Sequence, residues 1–136
     1  MGLLSVASSV MFVRHLEPSV AFYHDVLGCE VAIHDRDAAL LIACGGFQMY
    51  LIARGDRIVH TSDSVGLQYL TWVTDSATTL ERMSQTLRSQ GYHTENFVSG
   101  GVRFVESRDP DGIRLLLAYP TPETLPRSVV GPRLYT

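Results

Sequence analysis

One order of elements occurs twice along the chain: an apolar strand, a helix ended by glycine, and three further strands. The first strand of each half ends at Val13 and Val73, 60 residues apart, and the helices end before Gly28 and Gly91, 63 residues apart. Glycine favours the left-handed conformation that terminates helices. The repetition predicts an α+β protein of two tandem βαβββ modules that arose by duplication. The alternative is that two unrelated stretches with this order merely look alike.

Hydrophobic spacing locates the elements within each half. Apolar residues recur at intervals of three and four from Val20 to Leu27 and from Ala77 to Leu87, which is typical of helices with one buried face. Asp75 or Ser76 is expected to cap the second helix. A tight turn is predicted at residues 109–112, where the sequence reads DPDG. The predicted strands are residues 8–14, 30–34, 38–44, 47–53, 68–74, 92–98, 102–107 and 113–119.

The length of 136 residues suits one domain, and 46% hydrophobic with 18% charged residues can build a substantial core. We therefore predict a single domain over residues 1–120, with module 1 at about 5–60 and module 2 at about 64–120. The segment 121–136 contains three prolines and follows Pro120, so we expect an extended, peripheral tail.

Composition excludes several classes of protein. A net charge of −3 argues against nucleic-acid binding, and no run approaches the roughly 20 apolar residues of a membrane span. The apolar start of the chain lacks the positive region of a signal peptide. Two cysteines, Cys29 and Cys44, make neither a disulfide framework nor a zinc cluster. We expect a cytoplasmic protein with no nucleic-acid or membrane partner.

Two runs resemble one superfamily. FVRHLEPSVAFYHDVLGCEV (residues 12–31) and FVESRDPDGIRLLLAYP (residues 104–120) are similar to the opening and closing signatures of the vicinal oxygen chelate superfamily. That superfamily includes glyoxalase I, extradiol dioxygenases, fosfomycin-resistance enzymes and bleomycin-binding proteins. The resemblance covers about residues 5–120. It implies two βαβββ modules with sheets curled around a ligand cavity, and a homodimer. It does not identify a reaction, because this fold hosts several chemistries.

The superfamily's enzymes usually hold a divalent metal near the start of each module's first strand and the middle of its last. The resemblance puts these positions at Ser8, Tyr50, Gln68 and Leu116. Transition metals prefer imidazole and carboxylate ligands, and only glutamine among these four is a ligand type that the superfamily uses. We therefore expect no metal and no cofactor. The five histidines are more readily explained as surface residues: His15, His24, His34, His60 and His93.

If the side chains at the four expected metal positions face the cavity, strand alternation predicts which other side chains face it as well. Val10, Ile52, Leu70, Arg114 and Ala118 share the faces of the candidate residues. A register shift of one residue on the fifth strand would bring Tyr69 and Thr71 to the cavity instead. The resemblance also places Phe104 and Glu106, on the strand before the DPDG turn, toward the cavity. The candidate ligand-binding residues are therefore Ser8, Phe12, Gln48, Tyr50, Gln68, Trp72, Phe104, Glu106 and Leu116.

Several of these residues have two interpretations. Trp72 either stacks on a ligand or belongs to the core, and Tyr50 either binds a ligand or fills the space of the metal. Glu106 needs a partner on an inward face. It either pairs with Arg103 or Arg114, or serves as an acid, a base or a ligand anchor, and is the one candidate catalytic residue.

The predicted cavity is apolar and aromatic with a few polar groups, which is typical of a small-molecule pocket. The favoured hypothesis is a metal-free protein that binds an aromatic antibiotic or metabolite. The alternatives are a metal-independent isomerase, cyclase or lyase acting on a natural-product intermediate, a metal-dependent dioxygenase or lyase, and a degenerate member whose own side chains fill the cavity.

Overall fold

The computed structural model describes residues 6–56, 67 and 69–120. The chain forms two compact units, Met1–Val59 and His60–Thr136. Both follow the predicted order of strand, helix and three strands. Their elements are β1 (Ser8–Val13), α1 (Leu16–Ala21), a π-helical segment (Phe22–Val26), β2 (Glu30–His34), β3 (Ala38–Ile42), β4 (Gln48–Ala53), β5 (Tyr69–Val73), α2 (Ala77–Ser89), β6 (Glu95–Ser99), β7 (Val102–Arg108) and β8 (Arg114–Tyr119).

The first unit is a mixed four-stranded sheet in the order β1–β4–β3–β2. β1 runs parallel to β4, and the other neighbours are antiparallel. The helix α1 contacts β3 and β4. Leu41, Met49 and Leu51 are fully buried on one face of the sheet, and Leu16 and Val20 of the helix are also buried. The helix therefore covers one face of this sheet.

The first helix changes geometry before it ends. The N–H of Leu27 donates to the carbonyl of Phe22, five residues earlier, which is a π-helical bond. Gly28 then takes a φ of +79°, and the N–H of Cys29 donates to the carbonyl of Tyr23. This six-residue closure is a Schellman motif, so the predicted glycine stop is confirmed. The π-helical turn was not predicted.

The second unit repeats the topology, with strand order β5–β8–β7–β6. Ser76 is the N-cap of α2, because its hydroxyl accepts a hydrogen bond from the Thr79 N–H at 3.0 Å. The Ser84 hydroxyl of α2 donates to the Asn96 side chain at 3.3 Å. The helix therefore lies on the face of the sheet to which Asn96 belongs.

The predicted DPDG turn is present between β7 and β8. The Asp109 carboxylate accepts hydrogen bonds from the N–H groups of Asp111 and Ile113 at 2.8 and 2.9 Å, and Gly112 has a φ of +84°. Such side-chain bonds mimic a backbone turn, and glycine supplies the positive φ. These residues therefore have structural roles here.

No helix in the described ranges is both long and apolar enough to cross a membrane, and α2 has 13 residues. The strand beginning at Glu95 starts three residues later than predicted, because Tyr92, which follows the glycine stop, is still hydrogen-bonded to the end of α2. The predicted tail, residues 121–136, lies outside the described residues.

Candidate functional site

The sheet of the first unit has an open face opposite α1. Ser8 pairs with Gln48, Val10 with Tyr50, and Phe12 with Ile52 across β1 and β4. Paired residues project to the same side of a sheet. The structure thus brings four predicted site residues together, Ser8, Phe12, Gln48 and Tyr50. We call this surface the open face; it also includes Leu40, which pairs with Tyr50.

The open face is apolar yet accessible. Val10 is 63% exposed, Phe12 53% and Tyr50 36%, whereas Met49 and Leu51, one residue away on the opposite side, are fully buried. Scattered exposed apolar residues need no explanation, but a contiguous apolar patch commonly marks a binding surface. The open face is therefore the candidate binding surface of this unit.

Polar groups lie at both ends of the open face. Ser8 is exposed, and the Tyr50 hydroxyl donates to the Gln48 side-chain oxygen at 3.3 Å. At the other end, the Arg54 guanidinium lies 4.3 Å from the centre of the Phe12 ring. This cation–π contact was not predicted, although the two-residue alternation of 48, 50, 52 and 54 could have placed Arg54 on this face.

In the second unit the structure corrects the register predicted for β5. Thr71 pairs with Leu116, and Trp72 pairs with Leu117. Trp72 therefore shares a face with Leu117, Val105 and Asn96, which is the face covered by α2. The prediction that Trp72 shares a face with Leu116 is wrong.

The cause of this error is the spacing of the repeat. Ser8 pairs with Gln48, and the corresponding pair, 66 residues on along the last strand, is Arg114 with Tyr69. The first strands are thus offset by 61 residues rather than 60. Tyr69 and Thr71 take the places that were predicted for Gln68 and Leu70, and Gln68 lies outside the described residues.

Phe104 and Leu116, two predicted ligand residues of the second unit, are both buried. They are 2% and 0% exposed and form a buried cluster with Val102 and Ala118. The Phe104 ring stacks on Phe97 with centroids 5.1 Å apart. Leu116 therefore has the surroundings of a packed core, whereas Phe104, although buried, is also among the residues that line a groove between α2 and β6–β7.

Glu106 is hydrogen-bonded to Arg114. The carboxylate oxygens accept hydrogen bonds from the Nε and an Nη of Arg114 at 3.0 and 3.2 Å, and the side chains are only 16% and 7% exposed. The guanidinium also lies 4.8 Å from the centre of the Tyr69 ring. Of the two arginines predicted to pair with Glu106, Arg114 is the one that forms the ion pair. Arg103 lies on the opposite face of β7, because it pairs with Tyr119.

Of the four expected metal positions, Gln68 lies outside the described residues, and the other three do not fit a transition metal. Leu116 has no donor atom, and the Tyr50 phenol is hydrogen-bonded to Gln48. Among the described residues, no three His, Cys, Asp or Glu side chains converge. His15, His34 and His93 instead meet Asp56, Glu17 and Glu95 at 2.7, 3.0 and 3.4 Å, and His24 bonds the Cys29 carbonyl. His60 lies outside the described residues.

Two further features were not predicted. A groove of about 210 Å³ runs between α2 and β6–β7, with Glu81 and Arg103 among lining residues that also include Leu80, Phe97 and Val98.

Burial raises the pKa of the Cys29 thiol to about 11. Because the thiolate is the nucleophilic form, Cys29 is a poor nucleophile at neutral pH.

Solved structures share this fold. The chain matches a glyoxylase/bleomycin resistance protein/dioxygenase domain from Frankia sp. EAN1pec with a TM-score of 0.76 and 21% identity, over 86% of this chain and 98% of that one. A putative glyoxalase from Bacillus halodurans matches with a TM-score of 0.74 and 19% identity, over 83% and 93%. A glyoxalase/dioxygenase from Nostoc punctiforme matches with 0.75 and 17% identity, over 85% and 90%.

These similarities confirm the fold expected from the resemblance to the vicinal oxygen chelate superfamily: the chain has the glyoxalase/bleomycin-resistance/dioxygenase fold. No protein-family model and no curated protein matches the sequence. The fold hosts binding proteins and enzymes alike, so the function has to be argued from the residues of the site.

Proposed function

We propose that the protein binds a small, planar, mainly apolar molecule, such as an aromatic antibiotic or metabolite, on the open face without a metal. One observation carries the proposal: Val10, Phe12 and Tyr50 are exposed on one side of a sheet, while Leu41, Met49 and Leu51 on the other side are fully buried. Covering an accessible apolar surface is favourable by about 25 cal/mol per Å². A flat apolar ligand fits a sheet face of this kind.

The polar groups of the open face support specific orientation of such a ligand. The Tyr50 hydroxyl donates to Gln48, and the Ser8 hydroxyl is exposed beside them, since Ser8 and Gln48 are paired. Small-molecule sites typically combine broad apolar contact with a few polar groups of this type. The open face offers both.

The contacts of Glu106 favour binding over catalysis. Both carboxylate oxygens accept hydrogen bonds from Arg114, and the side chain is mostly buried. A general acid or base needs its proton-exchanging oxygen within reach of the substrate. The alternative of a metal-independent isomerase, cyclase or lyase would require Glu106 to leave this pair. We therefore assign Glu106 a structural role.

The similar structures include a glyoxylase/bleomycin resistance protein/dioxygenase domain and a glyoxalase/dioxygenase, names that cover both resistance proteins and dioxygenases. The donor set of this chain supports the first of these classes. Ser8, Tyr50 and Leu116 offer no imidazole or carboxylate to a metal, and these are the ligands that such metals prefer.

A titration with 2-naphthoate and its uncharged analogue 2-naphthamide tests the proposal. We expect both probes to shift the amide NMR signals of β1 and β4. Phe12→Ala should weaken binding of both roughly tenfold, because aromatic stacking contributes about 0.5–1.5 kcal/mol beyond the buried area. Val98→Tyr, which partly fills the groove beside α2, is the matched control and should leave both affinities unchanged.

Two outcomes would overturn this proposal. One is no binding of either probe at millimolar concentration. The other is that the shifts map to the groove beside α2 and disappear in Val98→Tyr while Phe12→Ala binds normally. A second copy of the chain covering the open face would appear as shifts that depend on protein concentration and not on probe.

We also propose that the protein is a homodimer. β1 and β2 are the edge strands of the first sheet, and β5 and β6 are those of the second. Edge strands present unpaired N–H and C=O groups that favour association.

A further inference from the structure

We infer that the ligand of the open face is an anion, an aromatic acid whose carboxylate pairs with Arg54. This inference rests on the proposed function and names the chemical class of its ligand. It starts from the position of the guanidinium at the end of the open face, 4.3 Å from the centre of the Phe12 ring.

The backbone determines where Arg54 lies. Its N–H donates to the carbonyl of Val13 at 2.8 Å, which continues the parallel pairing of β1 and β4 by one residue. Alternation therefore puts Arg54 on the same side as Tyr50 and Ile52. Arg54 is exposed, so a ligand on the face can reach it.

Arg54 has no acidic partner in the described part of the chain: its side chain has the ring contact with Phe12 and no ion pair. Asp37, whose carbonyl accepts the Ala53 N–H at 2.8 Å, also lies at this end of the sheet and forms no ion pair with Arg54 in the described ranges, and two other carboxylates nearby are paired with histidines. Asp56 meets His15 at 2.7 Å, and Glu17 meets His34 at 3.0 Å.

The second unit shows what a completed arrangement looks like in this protein. Arg114 also lies over an aromatic ring, that of Tyr69 at 4.8 Å, and donates hydrogen bonds to both carboxylate oxygens of Glu106. Arg54 and Phe12 form the same contact between a guanidinium and an aromatic ring, but without the carboxylate. A ligand carboxylate would complete it.

The chemistry of guanidinium makes this completion specific. A guanidinium held against a ring keeps its N–H groups available at its edge, where they match the two oxygens of a carboxylate. The Phe12 ring and the neighbouring apolar side chains would contact the planar part of the same ligand. Charge and shape together therefore select an aromatic carboxylate over a neutral aromatic molecule.

The test measures the ratio of the affinities for 2-naphthoate and 2-naphthamide, and compares this ratio between wild-type protein and two arginine variants. We expect wild-type protein to bind 2-naphthoate roughly twofold to fivefold more tightly than 2-naphthamide, as suits an accessible charge pair. In Arg54→Gln the ratio should fall to about one, because the ring contacts remain and the charge is gone. Arg88→Gln makes the same change of charge at an exposed position of α2 and should keep the wild-type ratio.

Each outcome is decisive. A wild-type ratio near one, or a preference that persists in Arg54→Gln, overturns the inference while leaving the proposed function standing. Failure of both probes to bind overturns the proposed function and this inference with it. Loss of the ratio in both arginine variants would indicate attraction by overall charge rather than by Arg54, and also overturns it. Phe12→Ala should weaken both probes without removing the preference.

Discussion

Arg114 holds Glu106 by two hydrogen bonds across adjacent strands, and both side chains are largely removed from water. The pair bridges β7 and β8, which are paired antiparallel with Glu106 opposite Leu116. Two charges that are taken out of water depend on each other, since either one alone would remain incompletely solvated. The pair is therefore a structural unit of the second sheet.

Removing one partner of this pair should destabilise the protein. We predict that Glu106→Gln lowers the free energy of unfolding by about 2–4 kcal/mol, because the Arg114 charge stays buried without its counterion. The double variant Glu106→Gln with Arg114→Met should recover part of this loss. Urea denaturation measures all three variants, and Arg88→Gln serves as the exposed control. A Glu106→Gln variant as stable as wild type would contradict the structural role.

Phe12 and Trp72 should respond in opposite ways to truncation. Phe12→Ala should reduce probe affinity with little change in stability, because Phe12 is 53% exposed. Trp72→Ala should cost about 2 kcal/mol of stability and leave probe affinity unchanged, because Trp72 packs on the α2 side. Thermal unfolding and the NMR titration measure the two effects. Loss of probe binding in a folded Trp72→Phe variant would refute this assignment.

The two cysteines should differ in reactivity. Cys29 is buried with a thiol pKa raised to about 11, whereas Cys44 is exposed. At pH 8 a thiol-disulfide reagent should modify one thiol per native chain quickly, and both after unfolding in urea. Cys44→Ser should remove the fast phase. A fast phase that survives in Cys44→Ser would show that Cys29 is accessible.

The raised pKa of Cys29 also has a consequence for stability. The unfolded thiol ionises from about pH 9, while the folded thiol stays protonated until about pH 11. The unfolded state is therefore favoured increasingly as pH rises between these values. The free energy of unfolding should fall over this range, and less so in Cys29→Ala.

Metal content should be low. The donors at the expected positions suit no transition metal, so we predict far less than one zinc, iron, nickel or manganese per chain by elemental analysis of purified protein. Added zinc should not raise the midpoint of thermal unfolding. Close to one metal per chain, removable together with an activity, would contradict this prediction.

Sedimentation should show a homodimer of about 30 kDa, twice the 15.0 kDa chain. We expect an interface above roughly 1,000 Å² in total. Deleting the residues after Pro120 should weaken the dimer or leave it unchanged, without preventing folding. A 15.0 kDa species at micromolar concentration would contradict the proposal.

Much of the fold was predictable because its signals are local. Gly28 and Gly91 adopt positive φ at the ends of their helices, Ser76 caps α2, and Asp109 closes its turn with its own side chain. Each effect depends on residues within a few positions. The face of β4 that carries Tyr50 was predicted from the resemblance, because residues 49–52 are all apolar or aromatic and hydrophobicity alone does not distinguish the two sides.

The sequence by itself therefore determined the order of the elements and the glycine stops of both helices, while the side chains of the open face followed from the register that the resemblance supplied. Only the tertiary structure decided the register of β5, because Leu70 and Trp72 on one side and Tyr69 and Val73 on the other are all apolar or aromatic. Alternation specifies a face only where one side is polar. The choice of Arg114 over Arg103, and the position of Arg54 over Phe12, likewise required cross-strand register. A long side chain meets whichever neighbour the pairing of strands brings beside it.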